Sequence, residues 1–215
     1  MAQTPRERLN NLLELAARGA EGRAELLGEL AGLLLDWPAD YALAMRAPFE
    51  TLFEKTAREA DAATRSAVAR RLEGHEELPL PLLNEFYLDA PSELRAHILA
   101  RNEVLDSDSA APDTVDAHEL VAAARTMNGA FVDMFAWSFS LPSGIARDIL
   151  ADASGQPLAV ACKGAGLDRA AFSAIALLGT HAPDPARLAH FDAVPQAAAE
   201  RLLAFWQGRN SCPVP

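Results

Sequence analysis

Asp61-Ala62-Ala63-Thr64-Arg65-Ser66-Ala67-Val68-Ala69-Arg70-Arg71-Leu72 returns thirty residues later as Pro91-Ser92-Glu93-Leu94-Arg95-Ala96-His97-Ile98-Leu99-Ala100-Arg101. Arg65 aligns with Arg95, Val68 with Ile98, Ala69 with Leu99 and Arg71 with Arg101. Each stretch opens on residues suited to a helix cap or first turn, then spaces its apolar side chains at the period of an amphipathic helix. Between them Leu78-Pro79-Leu80-Pro81-Leu82-Leu83 starts a short helix that reaches Tyr87. Paired helices with an early arginine in the second are the pattern of helical solenoids, whose pairs bury their faces only against neighbours.

Outward from that pair, helix signals continue in both directions. Thr4-Pro5-Arg6-Glu7 sets a capping hydroxyl, a proline at the first helical position and a glutamate three residues after the cap, followed by Leu9, Leu12, Leu13 and Ala16 at helical spacing. Leu26, Leu27, Leu30, Leu33 and Leu34 form a second helix that ends at Trp37-Pro38, and a third segment runs from about Asp40, with Pro48 starting a new helical turn, and carries Phe49, Leu52 and Phe53 inward. Beyond a polar break at Asp106 to Asp113, helices are predicted over 115–127, 129–141, 143–153, 157–165, 168–179, 185–191 and 195–207. Phe131, Met134, Phe135, Trp137 and Phe139 make one of these apolar on more than one side, which predicts a central helix wrapped by others in preference to a partner-binding face.

Composition agrees. The 215 residues include 45 Ala and 31 Leu against 8 Val, 4 Ile and 7 Thr, and β-branched residues lose side-chain freedom in helices that Ala and Leu keep. The expectation is an all-α chain: HEAT-like helical repeats over 1–105, a polar connector at 106–114, and an irregular helical bundle over 115–215, forming one continuous domain.

The formal net charge is −11, and residues 76–120 alone carry −9. Such a surface repels a phosphate backbone, because nucleic-acid affinity comes largely from Lys and Arg releasing counterions. Nucleic acid is therefore not expected as a partner. The acidic segment reads as a solvated face or as a docking surface for a basic protein, with Glu76, Glu77, Asp106 and Asp108 as the candidate partner-binding residues. The longest uncharged runs, Met134 to Ala146 and Ala170 to Pro183, hold 13 and 14 residues, too short to span about 30 Å of hydrocarbon. Charge begins within Met1 to Glu7 with no apolar stretch behind it, so the expected compartment is the cytoplasm.

Chemistry-bearing patterns fail on their spacing. His118-Glu119 begins like HExxH, but Ala122 stands where the second zinc ligand belongs. Gly164-Ala165-Gly166 follows no strand and lacks the Lys-Ser/Thr of a phosphate loop, so it reads as a helix end with a left-handed glycine. Ser143 sits outside GxSxG and reads as an N-cap, and His97 reads as a packing residue. Cys162 and Cys212 lie fifty residues apart with no CxxC, and Cys162 reads as a small buried hydrophobe. No catalytic residue, cofactor site or metal ligand is assigned.

At the Arg65 and Arg95 units, and again from Ile149-Leu150-Ala151-Asp152 through Pro157-Leu158-Ala159-Val160-Ala161-Cys162-Lys163-Gly164-Ala165-Gly166-Leu167 to Phe172, the chain resembles an uncharacterised bacterial family of all-helical, HEAT-like proteins, a domain of unknown function. The resemblance implies a solenoid-like helical bundle in the cytoplasm and carries over no catalytic residue. The expected function is a protein–protein interaction or scaffolding module with a regulatory task. The alternative is an enzyme or small-ligand binder whose pocket lies between the two helical halves. A third reading is a sensor that forms a homodimer through the Phe131 to Phe139 helix.

Overall fold

The computed structural model describes residues 5–37, 41, 45–75, 77–104, 115–125, 129–178 and 185–209. The described residues form thirteen α-helices and no strand, so the chain is all-α. In order these are α1 (Pro5–Ala17), α2 (Arg23–Leu35), α3 (Arg46–Glu59), α4 (Ala62–Leu72), α5 (Leu80–Glu85), α6 (Ser92–Val104), α7 (Ala117–Ala124), α8 (Gly129–Ser138), α9 (Ser143–Ala151), α10 (Gln156–Gly164), α11 (Arg169–Leu178), α12 (Pro185–Ala193) and α13 (Gln196–Gly208), with a 3₁₀ turn at Tyr87–Asp89.

Local chemistry sets the boundaries. Asp61 takes an extended backbone before α4 and accepts the Thr64 amide, a hydrogen bond that also holds its carboxyl below the ordinary carboxylate range. Asp116 caps α7 by accepting the His118 and Glu119 amides. Pro48 lies in the first turn of α3, where a missing N–H costs nothing. Ser143 is the first residue of α9 and not its cap; the extended Pro142 takes that place. After α10, Gly166 sits at φ +75 while its amide reaches the Lys163 carbonyl and the Leu167 amide reaches that of Cys162. That is a Schellman end, which needs a left-handed residue.

The chain divides into two compact units, 1–98 and 99–215. In the first, α2 is the organising helix: it buries Leu26, Leu27, Leu30, Ala31, Leu33 and Leu34 and packs against α1, α3 and α4. Phe53 of α3 meets Phe86 at 5.4 Å between ring centres, under α5. In the second unit α10 takes that place. It buries Pro157, Leu158, Ala159, Val160, Ala161, Cys162 and Gly164, and packs against α9, α11, α12 and α13. Each buried Leu or Val removes enough apolar surface from water to contribute roughly 1.5–3 kcal/mol. Residues 105–114, which include the whole of the expected connector at 106–114, lie outside the described residues, as does Thr4.

Candidate functional site

The repeat residues prove to be neighbours of carbonyls and carboxylates. From α4, Arg65 donates through Nη1 to the Ala57 carbonyl at 3.0 Å, through Nη2 to the Glu85 carbonyl at 2.7 Å, and through Nε to Asp89 at 2.7 Å. From α6, Arg95 donates to the Tyr87 carbonyl at 3.0 Å and the Leu88 carbonyl at 2.6 Å. Ala57 and Tyr87 are themselves thirty residues apart. Ala60 and Ala90, one register further, both turn extended and both donate their amides to those same two carbonyls. Each guanidinium also lies over a ring, Arg65 above Phe86 at 5.7 Å and Arg95 above Tyr87 at 5.6 Å. The two arginines therefore do one job: each closes the end of a preceding helical segment whose last carbonyls lack helical partners.

Around Arg65 the charges are deep. The Glu85 side chain is 0% exposed and pairs with Arg58 at 3.0 Å and Arg65 at 3.5 Å, while Arg58 also reaches Glu54 at 3.5 Å. Burial pushes the Glu54 carboxyl above its ordinary range; Arg58 opposes this, and Glu85 and Glu50 add to it. Four of the contacts that Arg65 makes go to protein oxygens, which makes this cluster a structural clasp with its cation already engaged.

Helix α8 shows two different faces. Phe131, Phe135 and Phe139 are buried, with Phe135 and Phe139 stacked at 4.3 Å. On the opposite side Trp137 is 78% exposed and Met134 37%. The helix is thus not wrapped all round, contrary to the preferred reading of its sequence. Trp137 lines an open groove of about 430 Å³ with Asp133, Ala136, Ser140, Leu141 and Ser143. The groove turns at Ser140, whose φ of +53 makes it the one non-glycine residue with positive φ among those described. A side chain there opposes Cβ sterics and costs roughly 1–2 kcal/mol. Such positions gather at functional surfaces.

A cavity of about 500 Å³ lies in the first unit, lined by Leu34, Leu35, Trp37, Arg46, Gly74, His75, Glu77 and Leu78. Trp37 is held edge-on to Tyr41 at 5.6 Å and Phe49 at 5.5 Å, and its buried indole Nε1–H has no hydrogen-bond partner. An unpaired buried donor costs about 1–3 kcal/mol, so native proteins rarely leave one without a reason. Arg46 gives its Nε to Glu50 at 3.0 Å, leaving both terminal amino groups for another acceptor.

Of the four acidic residues predicted to bind a partner, Glu77 is exposed and borders this cavity; Glu76, Asp106 and Asp108 lie outside the described residues. Cys162 is fully buried, and burial pushes its thiol up, which makes it a hydrophobe and no nucleophile. His118 is exposed on α7. Among the described residues no group of three His, Cys, Asp or Glu is placed to hold a metal ion, and no helix is long and apolar enough to cross a membrane. Sequence reasoning missed the Trp37 cavity, although a tryptophan at the end of an otherwise aliphatic helix was a visible signal. Comparison with known protein families, with curated proteins and with solved structures returns no match.

Proposed function

We propose that this chain is a cytoplasmic protein–protein interaction module with a scaffolding or regulatory task, and that it docks a basic partner through the outer face of α8. The exposure of Trp137 carries this reading. Tryptophan buries some 150–250 Å² when covered and dominates binding energy where it stands at an interface, so one left 78% exposed beside Met134 is an expensive surface unless something covers it. Charge selects the partner: the chain is −11 overall and Asp133 rims the Trp137 groove, so a basic protein gains from long-range attraction as well as from the apolar anchor. The thirty-residue correspondence between Arg65 and Arg95 supports a HEAT-like character for the N-terminal part, a scaffold type that presents extended binding surfaces.

The test is affinity capture with the full chain against its Trp137→Ser variant, repeated at rising salt. A stoichiometric basic protein should be retained by the parent and lost by the variant, a fall of about thirtyfold or more for a central anchor. The thermal midpoint should stay put, because Trp137 is a surface residue. Capture of the same proteins by both forms, with the same salt dependence, would end the proposal.

A further inference from the structure

The groove on α8 holds a charge as well as an apolar anchor. Asp133 and Trp137 stand four residues apart on the same helix, which sets their Cβ atoms about 5–6 Å apart on one face, and both are exposed. The nearly buried Ala136 and Leu141 line the groove with them, together with Ser140 and Ser143. Asp133 is the one charged residue of this lining, and among the described residues nothing pairs with it. Two other grooves supply a cation to their own carboxylates: Arg71 lines the one that holds Glu25 and Glu29, and Arg46 the one that holds Glu77. We propose that the α8 groove seats one arginine side chain of the basic partner, its guanidinium on the Asp133 carboxylate and its methylene stem along the Trp137 ring. The inference rests on the α8 docking reading and gives that partner its contact residue.

Elimination selects arginine. An aliphatic side chain would cover Trp137 equally well, but it would strip water from Asp133 and give that carboxylate no partner. A second copy of the chain would bring another surface of net charge −11 against it, and like charges in contact are disfavoured. An anion meets Asp133 directly. Among cations, lysine carries a compact, strongly hydrated ammonium with no flat face to lay on a ring. Guanidinium is planar and more weakly hydrated, it matches both oxygens of a carboxylate, and it is attracted to an indole face within about 6 Å. One helical turn between carboxylate and indole places both within reach of the same head group, while the stem covers apolar surface that would otherwise stay wet.

The experiment is a ¹H–¹⁵N titration of the full chain that reads its three tryptophan indole signals, from Trp37, Trp137 and Trp206, with Trp137→Phe identifying the second. The probe is the peptide acetyl-Leu-Arg-Leu-amide; versions with lysine or with the neutral isostere citrulline in the middle are the controls. The arginine peptide should move the Trp137 signal saturably, with a Kd on the order of 1 mM, while the Trp37 and Trp206 signals stay in place. Lysine should bind about threefold more weakly, and citrulline, which forfeits both the ion pair and the ring attraction, about tenfold. Asp133→Asn, an exposed substitution that leaves the fold intact, should weaken the arginine peptide about threefold. The proposal is overturned if about 10 mM arginine peptide, enough to nearly fill a site of Kd 1 mM, leaves the Trp137 signal in place. It is equally overturned if the lysine or citrulline peptide binds as tightly, if Asp133→Asn binds unchanged, or if the signal moves on dilution of the chain alone, which would make a second copy the occupant. The capture experiment, repeated with Asp133→Asn, separates this inference from the reading beneath it. Equal capture by the parent and Asp133→Asn, with loss in Trp137→Ser, keeps the docking face and overturns the arginine seat. Selective peptide binding with no stoichiometric protein captured keeps the arginine seat and overturns the docking face.

Discussion

The two units hold themselves together by different physics. Among the described buried polar and charged residues, Thr56, Arg65, Asn84, Glu85 and Arg95 belong to the first and Asn102 to the second. The first unit ties helix ends with guanidinium groups: Arg65 and Arg95 close the segments before α4 and α6, Arg71 reaches the Gly28 carbonyl on α2, and Arg23 reaches that of Glu59. In the second, α10 and α13 come so close that backbone nearly touches backbone, and Arg169 pairs with Asp192 out in water. There Lys163 and Arg201 each donate to a carbonyl, those of Phe191 and Asn102. A charge-knit unit is vulnerable to losing one partner of a pair; a close-packed one is vulnerable to gaining a methyl group.

The largest expected effect breaks the clasp. Arg65→Met strips Asp89 and the Ala57 and Glu85 carbonyls of their donor and takes one of its cations from the fully buried Glu85 carboxylate, so stability should fall by about 3–5 kcal/mol in urea unfolding. Adding Glu85→Gln should recover part of that, since a buried carboxylate that has lost one of its cations contributes to the loss. A loss below about 1 kcal/mol, typical of exposed ion pairs, would show that the clasp is ornamental.

The next effect tests the other unit. A Cβ on Gly164 would stand 2.5 Å from the Ala199 carbonyl oxygen and 2.8 Å from its carbon, both backbone, so Gly164→Ala must push α13 off α10. We expect a cost of about 1–3 kcal/mol. In the first unit a Cβ on Gly28 meets only Arg71 at 3.7 Å, and Gly28→Ala should stabilise by about 0.5–1 kcal/mol because glycine is costly inside a helix. Thermal midpoints that move in the same direction for both variants would erase the contrast drawn between the units.

The smallest effect is in pH. Glu54 has its carboxyl pushed up by burial, so it holds its proton more tightly folded than unfolded, and ionising it lowers stability. That penalty is absent below the ordinary value of 4.5 and grows as pH rises through the folded value. Glu54→Gln should therefore melt slightly higher than the parent at pH 7, by less than about 2 °C, with the difference closing toward pH 4. A difference that holds constant from pH 4 to 7 would assign it to packing and remove Glu54 from the charge network.

Most of the secondary structure was legible in the residues. The Ala and Leu bias, the prolines at Pro48 and Pro185, and the cap at Asp61 are local signals acting within a turn or two, and the helices after residue 115 fall close to where those signals put them. The equivalence of Arg65 and Arg95 was legible too, because a repeat is a property of spacing. Their partners were not: no local rule selects Ala57 or Tyr87 as the acceptor, since that depends on where one helix ends against the next. The same holds for Trp37, Trp137 and Gly164. Phe135 and Trp137 are two residues apart on one helix, yet only the packing of α8 on α7 and α9 decided which ring entered the core and which was left to water. By itself the sequence determined that the chain would be helical and where its helices start, because capping and propensity are short-range. Tertiary structure alone decided which donors are left without acceptors and which apolar faces without cover, because burial is a property of neighbours that the chain brings together from far apart.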